Sequence, residues 1–549
     1  MPQMTRRDFI VAGSLAAASL SAPRLFAAPK ARYTRYSVTS PEGQAMLKSY
    51  QKGVEAMLNL PATDHRNWFR YAFIHMMDCP HGNWWFYVWH RGYIGYFEQI
   101  IRDLSGNPEF TLPFWDWTET PEIPAGMFEG VLTPTNSSYS AFTGNLQKFT
   151  DFVKAPLSNY WNTLTPSQLV QQKERGYSTF DDLWNSVIGY DPGVQGAIAG
   201  NMAYVNTCGA RYLSADNPKL DPKTSFDVSP LVVTFGLSPE TFYSSSVEPI
   251  DPSVKWMSFA SSKTDSHTVS PGDTTKFSVL EGFPHNKVHN YIGGVGPVSP
   301  GPFGFMTNFL SPVDPIFFLH HANMDRLWDV WERQQLAAGR NPQPTIAADK
   351  QLYDNEPFQF YVDSKGEPVG RRYAKDYLDK SVFGYDYGPG FGDRVQPLQS
   401  TGMNTMAPVK ANIMNNEATL SLPSQAVMAH QQAKAQLVVE IVLPRPTGNS
   451  SQREFDILVN APDDVTEVFA DSPYYAGTIA FFGPPMHGMH MAQNASFHIA
   501  LPQTLLVMKN AAGQGSPANL KIRLVPSHAP DKSAASSPVL NSVILKTIR

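Results

Sequence analysis

Apolar residues recur at helical spacing in four stretches of the chain, and each stretch carries histidine. Trp68, Ala72, His75 and Cys79 share one face of a helix that Pro80 and Gly82 stop. His90, Ile94, Phe97, Ile101 and Leu104 line a second, ended by Gly106-Asn107-Pro108. A third, short helix starts at Pro284, carries His285 and His289, and yields at Gly293-Gly294. The fourth takes Asp314 as N-cap and Pro315 as its first residue, then shows His321, Met324, Trp328 and Trp331 along one stripe. Inward histidines on all four predict a four-helix bundle built around a site.

Between the helix pairs, residues 120–270 are loop-rich, with a short helix near Ser167 to Arg175. Residues 388–432 shift to Gly, Pro, Ser, Met and Asn, which reads as a linker. Alternating and apolar runs follow at Gln436–Leu443, Glu454–Val459, Tyr475–Phe482, Ser496–Leu501 and Leu520–Leu524. The expected fold class is therefore α+β: a mainly α-helical core, then an all-β sandwich or barrel over 433–549.

Composition changes this picture little. The 549 residues exceed what one core needs, and 42% apolar with 12% aromatic content is globular. A net charge of −5 with no basic run argues against nucleic acid as a partner. The N-terminus says more. Thr5-Arg6-Arg7-Asp8-Phe9 precedes an apolar run from Ile10 to Leu20, shorter than the ~20 residues a membrane span takes. With its Ala-rich tail, the stretch 1–28 reads as a Tat signal recognised by the Tat export machinery. The protein is thus expected outside the cytoplasm, periplasmic or secreted, and not in a membrane. With only Cys79 and Cys208, a disulfide framework is excluded, although one bridge is possible.

The chemistry lies in the histidines. Of fourteen, seven fall in two windows: His75, His81 and His90, then His285, His289, His320 and His321. Histidines at i and i+4, such as His285 and His289, point at one ion, and a facing helix supplies a third. Neutral imidazole suits copper, zinc, iron or nickel. Zinc and non-haem iron sites usually add a carboxylate or thiolate, and neither window offers an obvious carboxylate at ligand spacing, which favours copper over a dizinc or di-iron protein. Burying these rings without a metal would cost ~1–3 kcal/mol for each unpaired nitrogen. His65, His267, His430, His498 and His528 lie outside the windows, read as satisfied core residues rather than ligands, and are left unassigned.

At these residues the sequence resembles the type 3 copper family of tyrosinases, catechol oxidases and haemocyanins. Phe86-Tyr87-Val88-Trp89-His90-Arg91 with Glu98 is similar to the first copper signature, Tyr87 and Ile94 being mild departures. Asp314-Pro315 through His321 to Asp325 is similar to the second, and Leu112-Pro113-Phe114-Trp115-Asp116-Trp117 to the family's aromatic stretch. Tyr353 to Phe358, Tyr377-Leu378-Asp379, Gly384-Tyr385-Asp386-Tyr387 and Glu454 to Asn460 resemble plant-type polyphenol oxidases. The N-terminal disulfide pairs of the plant enzymes are absent, and the signal is bacterial in style.

The resemblance implies a dicopper catalytic domain over 29–387, with O2 as co-substrate and phenols and catechols as substrates. His75, His81 and His90 would bind one copper, and His285, His289 and His321 the other. His320 would be a neighbour that does not ligate, Asp325 would orient a ligand ring, and Arg91 and Glu98 would support the scaffold. Cys79 would form a thioether to His81. Glu281 and Asn286 would hold the water that deprotonates a monophenol, and Met306, Asn308 and Phe309 would form the substrate gate. The C-terminal domain would shield the site, and Met486 to Met491 offers soft donors for transient Cu(I) or a plain exposed turn. An o-aminophenol oxidase and a haemocyanin-like dioxygen carrier remain as alternatives.

Overall fold

In the computed structural model the described residues are 31–188, 210–220, 227–243, 257–270, 272–294, 304–394, 408–446, 453–465, 468–469, 471–483, 492–515, 517–527 and 539–548. The expected signal, Cys208 and the run Met486 to Met491 lie outside them.

Helix α1 spans Pro41–Asn59. Helix α2 follows over Trp68–Asp78, its first turn held by Asn67 Oδ1, which accepts from the Phe69 and Arg70 amides at 3.1 and 3.3 Å. The residue before a proline is steered out of the helical region, and Cys79 is extended at φ −66°, ψ 126°. The chain therefore leaves α2 at the thiol. Helix α3 spans Phe86–Ser105 and ends on Gly106, whose φ of 70° suits a residue without Cβ. Helix α4, Pro166–Glu174, carries a capping box from Thr165 and Gln168.

The third histidine helix departs from the pattern. It does not start at Pro284: a wide π turn over Glu281–His285 contains that proline, and α5 proper runs Asn286–Gly293. Pro284 has no amide to donate, and the widened turn accommodates its ring. Helix α6 spans Ile316–Ala337. Asp314 caps it as expected, accepting from the Ile316 amide at 3.1 Å, while Arg211 binds the same carboxylate. The Phe97 and Phe318 rings stack at 3.4 Å, joining α3 to α6.

Charged side chains also lock these helices together. Strand β1 (Tyr33–Arg35) pairs in parallel with β3 (Tyr385–Tyr387), β2 being Thr274–Lys276. Arg35 donates to Glu98 at 2.7 Å, and Arg91 to Asp325 at 2.7 Å, all four side chains being buried. Asp325 also accepts from the Tyr385 and Tyr387 hydroxyls. Burial pushes the Asp325 carboxyl up, but Arg91 and Arg35 outweigh that and hold it below its ordinary value.

The C-terminal region forms two five-stranded sheets. Its strands are β4 (Val409–Lys410), β5 (Asn412–Met414), β6 (Glu417–Leu422), β7 (Gln436–Pro444), β8 (Glu454–Val459), β9 (Tyr475–Ala480), β10 (Asn494–Ala500), β11 (Ala518–Pro526) and β12 (Ser542–Ile548). The sheet orders are β2-β10-β7-β12-β4 and β5-β6-β11-β8-β9. Leu437, Val439 and Ile441 from one sheet share an apolar core with Leu420, Ile522 and Leu524 from the other, so the layers form a sandwich. Two details differ from the sequence reading. Residues 408–432 are not a linker but supply β4, β5, β6 and helix α7 (Ser424–Gln431). Their short strands between Asn and Pro turns hid the alternation. Strand β2, from the helical half of the chain, forms one edge of the first sheet by pairing with β10.

Replacing Asp325 by Ala leaves Arg35 and Arg91 buried without that carboxylate, and should cost about 3–5 kcal/mol in urea-induced unfolding. A loss under about 1 kcal/mol would mark the network as incidental.

Candidate metal centre

Two groups of ligand-type side chains face each other inside the helical half. His75, Cys79, His81 and His90 form one, and His285, His289, His320 and His321 the other, ligand atoms in each lying within 4.8 Å of one another. His75 comes from α2, His81 from the turn after it, His90 from α3, His285 and His289 from the π turn and α5, and the last pair from α6. The groups meet in one chamber: the His90 and His321 rings stack at 4.1 Å, and the His81 and His285 rings are 5.8 Å apart.

The outward nitrogen of each ring decides what the inward one can do. His75 Nδ1 donates to the Phe309 carbonyl at 2.8 Å, His90 Nδ1 to the Phe86 carbonyl at 2.7 Å, and His289 Nδ1 to the Met306 carbonyl at 2.7 Å. His285 Nδ1 donates to Asn286 Oδ1 at 3.0 Å. In a neutral ring the proton is then spent on Nδ1, and Nε2 keeps its lone pair. Nε2 of His75 and of His285 is buried with no hydrogen-bond partner among the described residues. The Nε2 atoms of His289 and His321 stand 3.3 Å apart, the spacing of donors around a single ion.

His320 is built the other way round. Trp117 Nε1, which can only donate, points at His320 Nδ1 at 3.1 Å. The proton of His320 must therefore sit on Nε2, and its inward nitrogen has no lone pair to offer. Burial holds every one of these rings neutral: His75 and His285 fall to about 3, and His81, His90, His289, His320 and His321 lie well below their ordinary value. Neutral nitrogen donors without carboxylates fit copper.

Among the described residues His81 has no carbonyl lock, and neither has His321, whose Nδ1 is buried without a hydrogen-bond partner. The recorded polar neighbour of His81 is Cys79, whose Sγ lies 3.5 Å from Nδ1 and 3.7 Å from Nε2. Nearly equal distances fit a sulfur facing Cε1, the ring carbon between the two nitrogens. Cys79 is a buried free thiol.

The other residues singled out in the sequence are placed as follows. Glu281 is fully buried, accepts from the Gly82 amide at 2.6 Å and from Ser261 Oγ, and is raised by burial to about 7. Asn286 donates through Nδ2 to the Ala480 carbonyl of β9 at 3.0 Å. The Phe309 ring lies 5.5 Å from that of His81. Met306 and Phe309 also act through their carbonyls, as rests for His289 and His75. Asn308 is buried like Met306 and Phe309, and its Oδ1 accepts from the Leu310 amide at 2.7 Å. Asp325 orients no ligand ring, because its hydrogen bonds go to Arg35, Arg91, Tyr385 and Tyr387. Backbone carbonyls do that work.

One group escaped the sequence reading. Phe482, just past β9, sets its ring 4.4 Å from that of His289, 4.9 Å from His81 and 5.4 Å from Phe309. Gly483 follows at φ 73°, and a Cβ there would meet the Phe309 ring at 2.6 Å. The signal available was an aromatic pair ending a strand before Gly-Pro-Pro, which alone names no target.

Residues 62–334 match a family model described as the common central domain of tyrosinase. The chain is 24% identical over 356 residues to polyphenol oxidase II of Ipomoea batatas, covering 62% of this chain and 47% of that protein. It is 29% identical over 331 residues to the tyrosinase HcTyr1 of Hahella sp. (strain CCB-MM4), covering 59% of this chain and 49% of that one. The chain thus spans about half the length of these curated relatives. A solved structure of a recombinantly expressed latent aurone synthase (polyphenol oxidase) aligns over 95% of this chain and 90% of that one, with TM-score 0.50 and 19% identity, a likeness of fold. Matching central domain, neutral histidine groups and shared fold agree, and the chain belongs to the tyrosinase and polyphenol oxidase family of type 3 copper proteins.

Proposed function

We propose that this protein oxidises o-diphenols to o-quinones with O2, and hydroxylates monophenols at the ortho position. Its copper ligands are His75, His81 and His90 for one ion and His285, His289 and His321 for the other. The observation that carries this reading is the chamber of neutral rings in which His75, His90 and His289 spend their Nδ1 protons on fixed carbonyls and His285 spends its own on Asn286. Copper, when bound, supplies the oxygen chemistry and the electron transfer. The chain supplies geometry: rings pinned at Nδ1 keep their donors aimed before any ion arrives. For His81 the pin is Cys79. Joining Sγ to Cε1 removes the thiol and ring hydrogens, a two-electron oxidation for which O2 is the oxidant.

Monophenols must lose a proton whose ordinary pKa is near 10. Glu281, raised to about 7 by burial, is a stronger base than an ordinary carboxylate and suits that task. Asn286 would orient the same water. In the form described its Nδ2 is engaged by Ala480.

Phe482 explains how access is controlled. Its ring covers His81 and His289 where a phenol ring would lie, and the sandwich is anchored by Lys287, which reaches Glu454 at 2.6 Å with both side chains fully buried. The C-terminal domain thereby keeps the enzyme closed until it moves. A sealed site would also serve a dioxygen carrier, which saturable catechol turnover after unsealing would exclude. Residues 1–28 direct Tat export, and no described helix is long and apolar enough to cross a membrane.

Three outcomes test these assignments. Copper loading followed by metal analysis should find His320→Gln as rich in copper as wild type and His321→Gln lacking one ion; the reverse pattern refutes the ligand set. Glu281→Gln with Asn286→Ala should lower the ratio of monophenol to catechol turnover by about 10²-fold or more, as for loss of a general base. An unchanged ratio removes these residues from the reaction. Phe482→Ala gives up ~1.5–3 kcal/mol of aromatic burial, so the open population and catechol turnover of the full chain should rise about 10–100-fold. No rise at unchanged copper content would free Phe482 of a sealing role.

A further inference from the structure

His267 lies outside both histidine windows, yet it is the most heavily bonded histidine near the site. Its Nε2 faces Asp78 Oδ1 at 2.9 Å and its Nδ1 faces Glu356 Oε1 at 2.5 Å. His267 and Asp78 are fully buried, and Glu356 is 6% exposed. Ionised carboxylates only accept, so a ring bonded to one on each side must donate from both nitrogens. His267 is then an imidazolium inside the protein, unlike the neutral rings of the metal chamber.

Two contacts of this residue lead to the segment that carries His81, at Asp78 and at Asn83. Asp78 is the last residue of α2, immediately before Cys79. Its other oxygen accepts from Trp89 Nε1 at 2.8 Å, and the Trp89 ring packs 5.9 Å from His75 and 5.0 Å from His90. The His267 carbonyl accepts from Asn83 Nδ2 at 3.0 Å, while Asn83 Oδ1 accepts from the Trp85 amide at the start of α3. His267 therefore grips both ends of the turn 79–85: through its ring at Asp78 and through its backbone at Asn83. Glu356 is the outer anchor, since it also accepts from the His267 amide at 2.7 Å.

The charges around the ring come from each neighbouring element. Asp78 belongs to α2 and Glu356 to the segment after 347–354. Glu174 at the end of α4 reaches the loop through Thr268 and Ser266, and Arg175 donates to the Cys79 carbonyl at 2.9 Å. Two carboxylates in direct contact outnumber the single cation between them, and although burial opposes the charge, they raise His267 to about 9.

We propose that His267 is a positioning residue for the first copper site, a buried imidazolium strut between Asp78 and Glu356 that fixes the turn carrying Cys79 and His81. The inference rests on His75, His81 and His90 being copper ligands. It assigns a role to a residue that touches neither metal nor substrate.

The test uses the full-length chain with His267→Gln, and Glu356→Gln as a second variant outside the turn should the first fail to fold. Loaded with copper and titrated with a chelator, each variant should release one of its two ions at about 10–100-fold lower chelator concentration, the size typical for loss of a supporting partner. The other ion should be held as in wild type. Ions held with wild-type affinity, or two ions lost together from a folded variant, overturn the proposal. The metal-free protein gives an independent readout. A raised imidazolium stabilises fully below its ordinary pKa near 6.5 and is lost as pH rises through about 9. The melting temperature of wild type should thus exceed that of His267→Gln at pH 6.5, and the gap should close by pH 10. A gap independent of pH also overturns it. Wild type that binds no copper would instead refute the proposed function, leaving the pH readout to judge the strut.

Discussion

Imidazoles can act together as donors in one dry chamber only if their protons are turned away from its centre. That constraint organises the helical half of this protein. Each Nδ1 proton needs an acceptor at a fixed place, and three of the four that face out find a backbone carbonyl: Phe86, Met306 and Phe309. Carbonyls of a helix are normally engaged within it. Two of these three therefore lie in the 304–310 loop, which passes behind the rings and whose 3-10 turns leave oxygens free. The buried position of that loop follows from its task. So does the π turn at Glu281–His285, where a widened backbone brings His285 to the chamber and leaves its proton to Asn286.

Ionic groups occur around this chamber but not in it. The Arg35–Glu98 and Arg91–Asp325 pairs bind α3, α6 and the β1–β3 ribbon on one side, and the Asp78–His267–Glu356 chain binds α2 on another. Charges in a medium of low polarity are tolerated when paired and hydrogen-bonded on every side. Placed at helix crossings, they define one arrangement of helices, whereas apolar contacts alone would permit small slips. The neutral chamber depends on that rigidity, because a shift of α2 relative to α3 would carry His75 away from His90.

How much of this was legible in the chain depends on range. The four histidine helices and their stops were written locally, in periodicity and in residues such as Gly106 and Asp314. The two histidine groups followed from spacing, and His320 stood out only by resemblance; its exclusion has a physical cause in Trp117, which lies 203 positions away. Asp325 was misjudged for a plain reason. Sequence shows which side chains are near in the chain but not which way they face, and Asp325 turned to Arg35, Arg91, Tyr385 and Tyr387. Phe482 and His267 could not have been read, since the partners of each lie far along the chain, His267 being 189 positions from Asp78 and 89 from Glu356. The strands within 408–432 were obscured by the turn residues between them, a case where composition spoke louder than alternation.

The pairing of β2 with β10 ties the two halves of the chain by main-chain hydrogen bonds, in the register Thr274 to Asn494 through Lys276 to Ser496. Residue 276 lies only five positions before Glu281. The covering layer is thus spliced into the strand that leads to Glu281, and it cannot be peeled off as a separate cap without unzipping that edge. Cleavage after β10 would leave the edge strand occupied and the entry segment braced. Cleavage before β10 would leave it bare, exposing Phe277, which stacks on Phe497 of β10. Where a protease cuts would then determine how firmly the segment before Glu281 is held, as well as whether the chamber is uncovered.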